Sequence, residues 1–148
     1  MLRRIFAALT PLCITLCACA QDNLPFQVED IAQFDEPWAL AFLPDGKMLV
    51  TEKKGSLHLM TQDGQESESI SGVPDVDYGG QGGLGDVAVH PDFANNGYVY
   101  LSYAESGVDG TRGAAVARAV LDADDESLSN VEVIWRQYPK VLGRGHYG

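Results

Sequence analysis

Few residues of this 148-residue chain have types and settings that could do chemistry. His146 lies in a glycine-rich stretch, Gly143-Arg-Gly-His-Tyr-Gly148, after the strand-like end Pro139-Lys-Val141. An imidazole there titrates near neutral pH and can take a proton as a general base. An exposed loop histidine fits the same residues. No second histidine or carboxylate stands at metal-ligand spacing from it, so no zinc site is expected. His58, between Leu57 and Leu59, reads as a surface residue of a strand. Gln81 is surrounded by four glycines in Gly79-Gly-Gln-Gly-Gly-Leu-Gly85. That setting lets the backbone come close to a ligand or adopt positive φ, and a flexible turn is the competing reading. Gly80-x-Gly82-x-x-Gly85 imitates a dinucleotide fingerprint. That motif needs a helix to receive the pyrophosphate, whereas the strand-like Asp86-Val-Ala-Val-His-Pro91 follows, so nucleotide binding is rejected. The run Asp122-Ala-Asp-Asp-Glu126 lacks the alternating ligands and the glycine of a calcium loop and reads as a solvated hairpin turn.

The three cysteines, Cys13, Cys17 and Cys19, all fall in the first twenty residues. The rest of the chain therefore has no disulfide framework, thiolate metal site or cysteine nucleophile. Residues 1–20 have the three parts of an export signal: a basic start with Arg3 and Arg4, an apolar stretch, and the small residues around Ala18 and Ala20. The apolar stretch is too short and too interrupted, by Thr10, Pro11 and Thr15, for a spanning helix. Two cleavage readings compete. Ala18-x-Ala20 suits a cut before Gln21. Leu16-Cys-Ala-Cys19 resembles a bacterial lipobox, with Cys19 as the acylated residue, and is the reading favoured here. Ala20 after the cysteine, in place of an aspartate, suggests the outer membrane. Either way the working protein is expected outside the cytoplasm, in the periplasm or as an outer-membrane lipoprotein. The net charge of −11 makes binding to nucleic acid or anionic lipid through charge a poor expectation.

The elements that would position these residues repeat. Ala41-Phe-Leu-Pro-Asp45 returns as Ala88-Val-His-Pro-Asp92, 47 residues later (Pro44 to Pro91). His90 takes the repeat position of Leu43, which makes it part of the scaffold. Each copy leads into a strand-like run, Lys47 to Glu52 and Gly97 to Tyr103. Further strands are expected at Ser56 to Met60, Ala114 to Leu121 and Val131 to Arg136, with a long loop at Glu105 to Gly113. No segment keeps a 3.6-residue apolar period, so helix should be scarce. A repeat of this length with about four short strands per copy predicts an all-β fold, a β-propeller. Residues 21–148 would hold two blades and part of a third, so the chain reads as the opening of a longer protein.

Several segments together resemble one family: Pro37-Trp-Ala-Leu-Ala-Phe-Leu-Pro-Asp-Gly46, Leu49-Val-Thr-Glu52, Gly80-Gln-Gly-Gly-Leu84, Asp86-Val-Ala-Val-His-Pro-Asp-Phe93, Val99-Tyr-Leu-Ser-Tyr103 and Gly145-His-Tyr-Gly148. Their order and spacing resemble the N-terminal part of the soluble PQQ-dependent sugar dehydrogenases, of the glucose/sorbosone and aldose sugar dehydrogenase type. The resemblance implies a six-bladed propeller. It implies oxidation of the anomeric carbon of an aldose to a lactone, with pyrroloquinoline quinone (PQQ) taking the hydride, calcium polarising the quinone, and an external electron acceptor as partner. By match to the family's segments, His146 would be the base and Gln81 would line the sugar pocket.

Two positions depart from the pattern. Gly85 stands where the family often has leucine. Gly145 stands where glucose-specific relatives carry an acid that helps to hold the sugar, which favours the broad-specificity aldose branch. The cationic groups and carbonyls that hold cofactor and calcium in the family belong to later blades, beyond Gly148. Two rival readings stay open: a non-catalytic envelope propeller that binds carbohydrate or protein, and an inactive truncated product.

Overall fold

The computed structural model describes residues 25–65 and 68–145. Two antiparallel meanders fill it. The first sheet holds β1 (Pro37–Phe42), β2 (Met48–Glu52) and β3 (Leu57–Met60), in that order. The second holds β4 (Leu84–Val89), β5 (Tyr98–Ser106), β6 (Arg112–Asp122) and β7 (Ser127–Arg136), again in chain order. Helix is confined to one turn, α1 (Phe93–Asn96), and a single 3-10 turn (Val108–Gly110). Among the described residues no helix is long and apolar enough to cross a membrane.

Alternation of side chains decides which face of each strand is buried. In β6 the residues Ala115, Ala117, Ala119 and Leu121 all point to one side and are 0–6% exposed. Across from them β5 supplies Val99, Leu101 and Tyr103. The first sheet answers with Leu49, Leu57 and Leu59, closing one core between the two sheets. The alanines of β6 matter because small side chains let the leucines of the facing sheet approach closely. Each fully buried leucine here, such as Leu49, Leu57, Leu84 and Leu101, contributes about 1.5–3 kcal/mol of burial.

Two sheets stacked face to face, each a meander whose first strand lies beside the other's, are two successive blades of a β-propeller. The innermost strands touch through one polar residue. Thr51 is wholly buried; its Oγ1 accepts from the Ala39 N–H (3.0 Å) and donates to the Gly85 carbonyl (2.8 Å). One hydroxyl thus joins β1, β2 and β4 and sets the height at which β4 starts. The far face of the first sheet is also apolar, with Trp38, Leu40 and Phe42 about half exposed.

The expected strands are present, with boundaries that differ for local reasons. The long loop expected at Glu105 to Gly113 is shorter, because β5 and β6 stay paired out to Ser106 and Arg112. The Leu43-Pro-Asp-Gly46 turn closes as expected, with Leu43 N–H donating to Lys47 O (2.8 Å) and Gly46 N–H to Leu43 O (2.9 Å). In the second copy the turn is longer. Phe93 to Asn96 wind into α1 before β5 begins, and Gly97 ends the turn at positive φ with its N–H bonded to Phe93 O. The acidic run at Asp122 is a hairpin turn, as read: its Oδ1 accepts from the backbone N–H groups of Asp124 and Asp125 (both 3.0 Å). The first sheet shows three strands among the described residues, where four were expected. Ile70 N–H donates to Leu57 O (2.7 Å) at the edge where a fourth would pair.

Candidate functional site

The glycine stretch before β4 folds into a tight turn. Gly79 N–H donates to Gly82 O (3.1 Å) and Gly82 N–H returns a bond to Gly79 O (2.9 Å), which places Gly80 and Gln81 at the tip. Lys53, just after β2, donates from Nζ to Gly80 O (2.6 Å) and lies over the Tyr78 ring. Tyr78 is held in turn by its hydroxyl, which donates to Glu36 Oε2 (2.6 Å) and has its pKa raised by that carboxylate. Gly80, at φ 60°, lies so close to Arg144 that a Cβ would overlap the Arg144 carbonyl oxygen. Gly80 is therefore required by close approach of backbone to backbone, not merely tolerated in a turn.

What approaches is the segment after β7. It crosses back over the β5–β6 hairpin and lies along it. Lys140 Nζ donates to Glu105 Oε2 (2.6 Å) and Ser106 O (2.7 Å). Val141 and Arg112 exchange two backbone hydrogen bonds, both 2.9 Å. Arg112 Nη1 donates to Gly143 O (2.7 Å). Finally Gln81 N–H donates to Arg144 O (2.8 Å), and a Cβ on Gly145 would sit 3.4 Å from Gln81 Oε1. Gln81 and Gly145 thus adjoin across 64 residues of chain (81 to 145).

Beside this junction opens a cleft of ≈ 520 Å³. Trp38, Gln81, Asp86, Ser102 and Tyr103 contribute its side-chain chemistry, with the backbone of Gly82 to Gly85 along one wall. An aromatic face, an amide, a carboxylate and hydroxyls around a small volume suit a polyhydroxylated ligand with apolar C–H faces. Burial pushes the Tyr103 hydroxyl up in pKa, so it stays protonated at neutral pH.

Two carboxylates brace the junction. Asp77 accepts from Arg112 Nε (2.9 Å) and Ser106 Oγ (2.9 Å), and the guanidinium is the chief reason its pKa falls below the usual carboxylate value. Glu105 is lowered likewise, first by Arg136 and then by Lys140. A lowered carboxylate favours the folded state above its unfolded pKa, and that contribution is lost as pH falls through the folded value. Both braces therefore hold at neutral pH and fail only in acid.

Of the sequence-derived site residues, Gln81 stands at the cleft. His146 and Cys19 lie outside the described residues. His90 is scaffold, as read: its Nδ1 accepts from the Asp92 N–H (3.0 Å), which puts the ring proton on Nε2, and the ring stacks on Tyr100. His58 requires a correction. Its side chain is only 13% exposed rather than at the surface, because the segment before β1 folds over that face. Phe34 packs on its ring and Glu52 Oε2 lies 3.3 Å from Nε2. The sequence reading did not single out Asp77, Arg112 or Asp86. Asp77 and Arg112 lie 35 residues apart, and neither sits in a motif, so no local signal marks them. Among the described residues no three His, Cys, Asp or Glu side chains gather as a metal site.

Comparison with known proteins shows the family. The profile of the Glucose / Sorbosone dehydrogenase family matches residues 34–148. The aldose sugar dehydrogenase YliI of Escherichia coli is 44% identical over 117 residues, covering 78% of this chain and 32% of that protein. A solved glucose dehydrogenase superposes with TM-score 0.74 at 48% identity, over 77% of this chain and 33% of its own. The PQQ-bound aldose sugar dehydrogenase of Streptomyces coelicolor superposes with TM-score 0.66 at 25% identity, over 76% of this chain and 34% of its own. The chain spans about a third of the length of each.

Proposed function

Because the chain belongs to the glucose/sorbosone dehydrogenase family, we propose that the protein oxidises an aldose at its anomeric carbon to the lactone and that this stretch supplies the sugar side of the site. The observation that carries the reading is the Gln81 N–H bond to Arg144 O (2.8 Å). It joins the glycine turn to the chain just before His146, and on this reading the His146 imidazole would work beside the Gln81 amide. Gln81 would hydrogen-bond a sugar hydroxyl. His146 would take the proton of the anomeric hydroxyl as the carbonyl forms. When bound, PQQ supplies the two-electron oxidation, as a relative's PQQ-bound form supports.

The cleft lining has no lysine or arginine to meet the cofactor's carboxylates, and no metal-binding cluster is present among the described residues.

Gln81→Ala tests the reading in the full-length, cofactor-loaded protein. Loss of one hydrogen bond to a neutral hydroxyl costs about 0.5–1.5 kcal/mol. The expected result is a KM for aldoses raised about 2- to 13-fold, with a fall in kcat where the contact tightens in the transition state. Unchanged sugar kinetics would reduce the glycine segment to a turn and leave room for a propeller that only binds carbohydrate or protein.

The same proposal places the protein outside the cytoplasm, with residues 1–20 as its export signal and Cys19 as a lipid anchor. Mass spectrometry of the mature N-terminus should find an acylated Cys19, and Cys19→Ser should release the protein from the membrane fraction. An unmodified N-terminus at Gln21 would replace the anchor with ordinary signal cleavage.

A further inference from the structure

We infer that the Asp77–Arg112 ion pair is the positioning device of the site, holding the glycine turn and the segment leading to His146 at their working separation. The inference rests on the functional reading above. Neither residue lines the cleft. Both are largely buried, with side chains 10% and 13% exposed. Asp77 lies two residues before the glycine turn and is fixed to β5 by its own N–H, which donates to Ala104 O (2.8 Å). Its Oδ2 accepts from Arg112 Nε (2.9 Å) and from Ser106 Oγ (2.9 Å).

The same guanidinium donates from Nη1 to Gly143 O (2.7 Å), and the Arg112 backbone exchanges its two bonds with Val141. One side chain therefore holds the base of the turn with one nitrogen and the segment with another. The junction it sets is the Gln81 N–H bond to Arg144 O (2.8 Å).

Only a planar fork can do this. Nε and Nη1 of arginine diverge at fixed geometry, whereas a lysine ammonium is a single point on a flexible stem. Arg112→Lys keeps the charge and loses the span. Asp77 is also near the Arg144 charge, so the carboxylate balances cations from both sides of the junction.

The test compares Arg112→Lys with wild type in the full-length, cofactor-loaded protein, by amide hydrogen exchange and sugar kinetics together. Exchange of the Gln81 amide reads the junction directly, and loss of its bond should speed it about tenfold. A displaced base should lower kcat about 10- to 100-fold. The KM should change far less than kcat, with kcat expressed per folded enzyme counted by bound cofactor, because loss of folded protein alone also lowers apparent kcat at constant KM. Asp77→Asn is the second variant, should the first fold poorly. It keeps the shape and weakens the pair, and smaller shifts in both readouts are expected. Unchanged Gln81 exchange, or unchanged kcat despite faster exchange, would overturn the positioning role. Gln81→Ala measured alongside separates the two ideas. If it leaves sugar kinetics untouched, the functional reading fails, while the exchange data still decide whether Arg112 holds the junction.

Discussion

His146→Gln lowers kcat for aldoses by about 10²–10⁴ in the full-length, cofactor-loaded protein, the usual worth of general-base help. The argument is chemical. Hydride departs readily from an anomeric carbon only as its hydroxyl proton is removed. An imidazole with an ordinary pKa of about 6.5 is matched to that task at neutral pH. Glutamine keeps similar size and a hydrogen-bonding end but cannot accept the proton. Cofactor affinity should therefore stay unchanged while the acid limb of the pH–rate profile disappears. Single-turnover oxidation of the sugar is the deciding measurement. A variant as fast as wild type would make His146 a loop residue and end its assignment as the base.

Gly83→Ala is the largest expected effect on stability. Gly83 has φ 146° and lies against the Lys53 backbone, where an added Cβ would overlap the carbonyl oxygen. That oxygen already accepts the Leu84 N–H (3.0 Å), and Gly83 O accepts the Ala104 N–H (2.9 Å), so neither backbone is free to retreat. Backbone strain contributes about 1–3 kcal/mol, and forced displacement of packed neighbours about 1–3 kcal/mol more. Gly110→Ala is the control. Gly110 also has positive φ, 71°, but nothing lies within 4 Å of its Cβ position, so it should show the strain alone. Denaturant unfolding of both variants measures the difference. Equal losses would mean that the contact with Lys53 yields easily and that Gly83 is needed only for its backbone angle.

Much of the fold was legible because its signals are local. Alternation in Val99 to Tyr103 and Ala114 to Leu121, and the recurring Pro-Asp turn, identify strands and a repeat without knowledge of what packs where. The fault at His58 has the opposite cause. Its flanking leucines mark it correctly as pointing away from the main core, but Phe34, 24 residues earlier, covers the other face. Burial of that kind is decided by a segment with no periodic pattern. The site divides in the same way. Gln81 shows in the sequence because its four glycines are unusual, whereas Arg112 is one more charged residue until a guanidinium is seen reaching both Asp77 and Gly143.

The manner in which residues 141–144 are held leaves part of this segment free to vary. Every bond noted above that fixes the segment uses its peptide groups: Val141 N and O, Gly143 O and Arg144 O. The side chains of Val141 and Leu142 are 49% and 75% exposed and take no part in those bonds. Their codons can therefore drift, or be randomised in a library, while the peptide track beneath keeps its course. Sequence freedom thus lies only a few residues from the position proposed for the base.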